Sequence, residues 1–293
     1  MFDLHRLRLL RELHTRGTLA AVAAALGYSG SAISQQLALL EKEAGVALLE
    51  RVGRGVRLTP QALILVEHAE VVLARLELAE AEMQASLGEP RGVVRLAAFQ
   101  TAMLSLVPPL VDHLREQAPG TRLRVRQLEP GPALSALAAG EVDLVVAEEF
   151  PGHPEPRLAG VDRVDLAREP MVLAVPEALA GMDLADLADR PWVLEPADTP
   201  SGRWALALCR EAGFEPDIAY SSTDVVVHLR LVETGLAVAI LPELVLRGSV
   251  PPGVGLRPLR GHRQIYTCAR SGSARRPVIA ATRAALRAVY AMP

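Results

Sequence analysis

Aromatic side chains are scarce in this chain of 293 residues: four Phe, four Tyr and two Trp, 3% in all. Its cores must therefore be aliphatic, and a hydrophobic content of 50% is enough to build them. Only two cysteines occur, Cys209 and Cys268, with no CxxC spacing. That excludes a disulfide framework and fits a reducing cytoplasm. Each reads as a buried structural thiol. Lysine is all but absent, Lys42 being the sole one, so basic charge is carried by arginine as a matter of composition. No uncharged apolar window of about 18 residues appears, which argues against a membrane span. Arg6, Arg8 and Arg11 interrupt the start, where a secretory leader would place its apolar segment. A cytoplasmic protein with no membrane partner is the expectation. Repeats and low-complexity segments are lacking too.

Catalytic patterns are also missing. The sequence holds no GxSxG elbow, no P-loop, no HExxH and no GxGxxG after a strand. Its seven histidines show no metal-ligand spacing. The expectation is a protein that is not an enzyme, with no metal and no cofactor.

What is present is divided unevenly. Residues 1–59 carry eight basic and five acidic side chains, a balance of +3. The other 23 basic and 29 acidic residues leave the remainder at −6. A basic head on an acidic body suits a polyanion at the N-terminus only. The length exceeds one typical domain and points to two or three.

Within the head, LGYSGSAISQQLALLE (Leu26–Glu41) has two unlike sides. Ile33, Leu37 and Leu40 recur at helical spacing and form a stripe for burial. The opposite stripe holds Ser31, Ser34, Gln35 and Ala38, which are short, uncharged and able to hydrogen-bond. Ahead of it, Leu4, Leu7, Leu10 and Leu13 mark one amphipathic helix. Thr18 caps a second, Ala-rich helix that ends at Gly27, and Ser29 or Ser31 caps the third. Helix, glycine-bearing turn, helix is the helix-turn-helix arrangement, whose second member enters the major groove. Slim residues are what such an entry needs, although they would serve packing against protein as well. Gln35 is suited to a bidentate pair with adenine, and the serine hydroxyls to phosphates. LLERVGRGVRLTP (Leu48–Pro60) then reads as strand, glycine turn, strand. Arg51, Arg54 and Arg57 cluster at its tip, as in a wing that grips the DNA backbone.

These residues resemble the N-terminal winged helix-turn-helix of LysR-type transcriptional regulators. The match runs through Ala24, Leu26, Ser34, Leu40-Glu41, Gly45, Leu48, Glu50-Arg51 and Leu58-Thr59. Departures are Gly30 where the family commonly has glutamine, Leu49 for phenylalanine and Ala62 for glycine. The residues expected at DNA are Thr18, Ser29, Ser31, Ser34, Gln35, Gln36, Arg51 and Arg54.

From Pro60 to about Leu87 nothing breaks a helix. Leu63, Val66, Ala69, Leu73, Leu76, Ala79 and Met83 form an apolar stripe along it. Such a helix is too long for the head to cover, and it pairs with a second copy or lies on its own C-terminal domain. The resemblance implies the former: an antiparallel linker pair, a homodimer or homotetramer, and two heads reaching a near-palindromic operator in double-stranded DNA.

After a break at Gly88–Gly92, strands alternate with helices, which indicates a largely parallel α/β layer fold. The strands are Val93–Phe99, Leu123–Glu129 and Asp143–Glu148, then Met171–Val175, Trp192–Leu194, Ile218–Ser222, Leu236–Pro242 and Ile265–Arg270. Helices are expected from about Thr101 to Gln117, through Leu137, after Gly202, from Asp224 and over Pro277–Tyr290. Two crossings between subdomains match the periplasmic-binding-protein fold, as the resemblance also implies. The expected class is an all-α winged helix-turn-helix (1–59) and linker helix (60–87), then an α/β two-subdomain, periplasmic-binding-protein-like effector domain (88–293). Subdomain I takes about 91–165 and 268–293, and subdomain II about 166–267.

Ligands of such sheets sit off the carboxyl ends of strands, at helix starts. The resemblance implies a small-molecule effector there. Gln100, Thr101, Glu129, Thr199, Ser201 and Thr223 occupy those turns, and each also reads as an ordinary helix cap. Glu129 either binds a cation, repels anions or faces solvent. Peroxide-sensing relatives use a cysteine pair, a role that burial of Cys209 and Cys268 would oppose. The competing reading is a solute-binding receptor whose head contacts protein; the +3 head and slim helix face favour the regulator.

Overall fold

A computed structural model describes residues 1–53, 55–86, 88–154, 157–248 and 250–292. Three helices open the chain: α1 (Leu4–Arg16), α2 (Leu19–Leu26) and α3 (Gly30–Ala44). Side-chain caps start all three. Asp3 accepts from the Arg6 N–H, Thr18 from Ala21 and Ser29 from Ala32. Left-handed Gly17, Gly27 and Gly45 stop them, with φ of 75°, 71° and 70°. Of the two serines expected at α3, Ser29 is the cap, and its hydroxyl lies 2.9 Å from that of Ser31. Leu7, Leu10, Leu13, Val22, Ile33, Leu37 and Leu40 close one aliphatic core. Leu4, expected in that stripe, is exposed, and Leu9 is buried instead. The reason is that α1 is flanked by α2, α3 and the following long helix.

The wing forms as an antiparallel hairpin, β1 (Leu49–Val52) with β2 (Gly55–Leu58). A Glu41 carboxylate oxygen accepts the N–H groups of Leu48 and Leu49 at 2.8 and 3.0 Å, which ties α3 to the hairpin. Gly53 (φ 58°) makes the turn. Arg54 lies outside the described residues.

Helix α4 (Pro60–Ala85) has 26 residues, about 39 Å at 1.5 Å per residue. Leu87, its expected end, lies outside the described residues. Ala62, Val66 and Ala69 complete the head core. Further along, α4 leans on the C-terminal domain. Arg270 Nε donates to Glu77 at 3.0 Å and Arg276 Nε to Gln84 at 3.3 Å. Gly272 sits so close to the Ala74 carbonyl that a Cβ there would clash at 2.3 Å. The other expected stripe residues are not all covered: Leu63, Leu76 and Met83 stay exposed, with Ile64, Val71 and Val72 beside them.

The rest builds one sheet of eight strands among the described residues. In chain order the elements are β3 (Gly92–Ala98), α5 (Gln100–Ser105), α6 (Val107–Gln117), β4 (Thr121–Gln127), α7 (Pro130–Ala138) and β5 (Leu144–Glu149). Then come β6 (Val161–Pro176), β7 (Pro191–Leu194), α8 (Pro200–Glu211), β8 (Asp217–Ser221), α9 (Val225–Glu233) and β9 (Val238–Pro242). The chain closes with β10 (Val254–Arg270) and α10 (Pro277–Tyr290). Spatial order is β4-β3-β5-β10-β6-β9-β7-β8. Pairs β3–β4, β3–β5, β7–β8 and β7–β9 are parallel, and the two long strands β6 and β10 are antiparallel to their neighbours.

Those long strands cross between two lobes. Gln264–Ala269 of β10 pair with β5 on the first lobe, whereas Met171–Ala174 of β6 pair with β9 on the second. The expected strands at Met171 and Ile265 are only their apolar halves. The first half of β6 carries Asp162, Arg163, Asp165 and Arg168, and it is a strand because β10 runs beside it. One expected helix, Thr101–Gln117, is two. Pro108 and Pro109 lack the N–H groups a continuous helix would use, so the chain restarts at Val107.

Candidate functional site

Two surfaces stand out, one on the head and one between the lobes. On α3 the side chains of Ser31, Ser34, Gln35 and Ala38 are exposed while Ile33, Leu37 and Leu40 are buried. Thr18, Ser29 and Arg51 are exposed as well. Gln36 is different: it is half-buried, and its Oε1 accepts from Arg6 Nε at 3.0 Å. Arg57 of the wing is already paired, its Nε 3.1 Å from Glu50. Gly30 opens α3 with nothing within 4 Å of where its Cβ would stand.

The lobes face each other across the carboxyl ends of their strands and enclose a cavity of about 360 Å³. All six residues expected at an effector line it: Gln100, Thr101, Glu129, Thr199, Ser201 and Thr223. Their roles differ. Gln100 bridges the lobes, with its Nε2 donating to Asp224 at 2.7 Å and its Oε1 accepting the Val225 N–H at 3.0 Å. Thr199 caps α8 through the Gly202 N–H at 3.0 Å. Thr101 is buried, and its hydroxyl accepts from Arg263 at 2.6 Å. Thr223 is exposed and open to the cavity. The cap of α9 is Asp224, which accepts the Val226 N–H at 2.9 Å.

Sequence reasoning did not find Glu148, Glu195, His228 and Arg263, which also line the cavity. Arg263 is only 3% exposed. Its Nε donates to Glu169 at 2.6 Å, and a terminal nitrogen donates to Glu148. Glu169 passes the connection on by accepting the Leu244 N–H at 2.5 Å. Burial pushes the Glu148 carboxyl up to about 7, against the pull of Arg263. Burial also raises the Glu129 and Glu195 carboxyls. His228 Nε2 donates to the Ser222 carbonyl at 2.7 Å, and burial lowers its pKa, so the ring is held neutral. Arg263 carried no local signal, because it stands in the polar run Arg260-Gly261-His262-Arg263-Gln264 ahead of the apolar part of β10. Its partners could not be named from spacing either.

Both cysteines are buried and free. Burial pushes the Cys209 thiol up to about 12 and the Cys268 thiol to about 11, so both stay protonated and unreactive. Among the described residues no group of His, Cys, Asp and Glu is arranged to hold a metal. No described helix is long and apolar enough to cross a membrane.

A winged helix-turn-helix joined by a long helix to a two-lobed domain with an interior cavity defines a ligand-responsive regulator class. Comparison with known proteins gives the family. Residues 4–63 match the family model described as bacterial regulatory helix-turn-helix protein, lysR family, and residues 87–291 match the LysR substrate binding domain. The chain belongs to the LysR family of DNA-binding transcriptional regulators, and it is a regulator rather than an enzyme. It is similar to the transcriptional dual regulator GltC of Bacillus subtilis, 28% identical over 272 residues, covering 85% of this chain and 83% of that one. Among solved structures, a full-length OxyR variant from Pseudomonas aeruginosa superimposes with a TM-score of 0.70 at 23% identity, covering 98% and 95% of the two chains. The LysR family regulator CbnR gives a TM-score of 0.57 at 26% identity, covering 98% and 100%.

Proposed function

We propose that α3 reads duplex DNA with Ser34 and Gln35, while Ser29, Ser31, Thr18 and Arg51 hold phosphates at its start and on the wing. Arg54 belongs with this backbone set on its sequence position alone. Gln36 contributes at most its amide, because Arg6 occupies its oxygen. The observation that carries this reading is the exposed, slim, uncharged face of α3 above a buried aliphatic stripe. A second copy of the chain covers the exposed apolar surface of α4, and two heads then meet a near-palindromic operator in the cytoplasm. The division into head (1–59), linker helix (60–87) and effector domain (88–293) follows, with lobes of about 91–165 plus 268–293 and about 166–267. The cavity between the lobes seats the small-molecule effector, lined by Gln100, Thr101, Glu129, Thr199, Ser201 and Thr223. The test is a gel-shift titration against the intergenic duplex beside the chain's own gene. Binding is expected to weaken steeply as salt rises, because phosphate contacts release counterions. A salt-insensitive interaction would contradict the phosphate contacts.

A further inference from the structure

Resting on the reading that an effector seats between the lobes, we infer that this effector is cationic: a small amine, amidine or guanidine with an apolar skeleton. Glu129, Glu148 and Glu195 all line the cavity, and Glu169 lies directly behind it. Arg263 is the one basic side chain of ordinary positive charge in the lining among the described residues. Its guanidinium is ion-paired with both Glu148 and Glu169. No basic side chain pairs with Glu129 or Glu195 among the described ion pairs. The hydroxyls of Thr199 and Ser201 stand beside Glu195.

An anion, by contrast, would find few donors. Helix starts normally offer free N–H groups to anions, but on α7, α8 and α9 most of those positions are blocked. Helix α7 begins Pro130-Gly131-Pro132, so two of its first three residues have no N–H. Helix α8 begins with Pro200, and its Gly202 N–H is taken by Thr199. On α9 the Val225 and Val226 N–H groups are taken by Gln100 and Asp224. Of the helices that start at the cavity, α5 alone has neither a proline nor a side-chain cap in its first turn, so anion sockets are few, while Glu129 and Glu195 feel Arg263 only at longer range.

Apolar walls complete the fit. Phe99, Phe150, Met171, Leu194 and Ile240 line the same space, which at about 360 Å³ suits a small organic skeleton. Glu129 follows β4 on the first lobe and Glu195 follows β7 on the second. The Glu129 charge raises the Glu195 pKa, so the two repel across the gap. A cation between them replaces that repulsion with attraction to both lobes. Its binding therefore favours the closed arrangement, which is how a ligand shifts a two-state equilibrium.

The test uses the full chain in thermal-shift and calorimetric titrations with matched probes. These are α,ω-diaminoalkanes of about four to six carbons and agmatine, set against dicarboxylates of equal chain length. At least one cationic probe is expected to raise the unfolding midpoint by several degrees. Dicarboxylates are expected to leave it unmoved. Glu129→Gln and Glu195→Gln should each weaken cation binding about tenfold, with circular dichroism unchanged. The proposal is overturned if no cationic probe binds, or if the Glu129→Gln/Glu195→Gln double variant binds the cation as the parent does. Thr223→Trp, at an exposed lining position, separates the two readings. If dicarboxylates bind the parent but not this variant, the cavity reading stands and the charge inference fails. If whichever probe binds does so equally to both, the cavity reading itself fails.

Discussion

The outer face of α3 and the cavity between the lobes are both contact surfaces, and they are built in opposite ways. The α3 face is convex, and its residues fall within one short run from Ser31 to Ala38. It presents hydroxyls, an amide and a methyl, with no charge of its own, on a head whose balance is +3. The cavity is concave, and its lining residues come from positions as far apart as Phe99 and Arg263. It carries carboxylates in excess, in a remainder whose balance is −6. The first surface must admit many partners of one shape and choose by hydrogen-bond pattern. The second must exclude water around one small molecule and choose by charge. Burial explains the contrast. A carboxylate on the head would repel phosphates at little structural cost, whereas one buried in the cavity is costly until something pairs with it.

Substitutions can break this comparison, and the largest effect belongs to the cavity. Arg263→Met leaves Glu148 and Glu169 buried without their cation, so urea denaturation should show a loss of about 3–5 kcal/mol. Adding Glu148→Gln and Glu169→Gln should recover most of it. An unrecovered loss would mean that the arginine acts through packing rather than charge.

On the head, Gln35→Ala should cost about 1–3 kcal/mol on the cognate duplex and little on random DNA. Arg51→Ala and Arg54→Ala should weaken all duplexes alike and reduce the salt slope by about one each. Quantitative gel shifts across several salt concentrations read both effects. Equal losses for Gln35→Ala on both kinds of DNA would remove its assigned role.

Titration sharpens the electrostatic half. The Glu148 carboxyl titrates at about 7 in the fold against an ordinary 4.5, so the folded state holds its proton more tightly than the unfolded chain does. Stability from this group is present below about 4.5 and lost as pH rises through about 7. Facing it are Glu129, Glu169, Glu195 and Arg263, with Asp198 and the neutral His228 completing the titratable lining. Lowered carboxyls elsewhere, such as Asp143 beside Arg95 and Asp224 beside Gln100, titrate below this window. The unfolding midpoint of the ligand-free chain should therefore fall between about pH 5 and 8, while affinity for an amine rises over the same range. Calorimetry at the two ends checks both signs.

The smallest effect is a gain. A Cβ at Gly30 would meet no neighbouring atom, and Gly30→Gln places an amide at the start of α3. It should tighten DNA binding by no more than about 1 kcal/mol. Loss of binding instead would show that a bare backbone is needed at that point.

Much of this was legible because the signals were local. Thr18 is the cap the sequence placed, Ser29 is one of the two serines it offered for α3, and Gly17, Gly27 and Gly45 stop their helices. The final helix begins at Pro277 and ends at Tyr290 as its pattern predicts. All six turn residues chosen for the cavity line it, because strand ends and helix starts are visible in the periodicity. Other features stayed hidden. The charged half of β6 shows no strand pattern, since its ladder is supplied by β10. Leu4 and Leu9 exchange places because α2, α3 and α4 all flank α1, so one stripe does not describe its buried side.

By itself, then, the sequence determined the helix-turn-helix, its outward face and the alternation of strand and helix. Each of these depends on neighbours a few residues apart. Only the tertiary structure decided what the cavity is made of. Arg263 meets Thr101 across 162 residues, Glu148 across 115 and Glu169 across 94. Charges so far apart in the chain have no spacing to read. They become one site only when β6 and β10 cross between the lobes and burial forces them to pair.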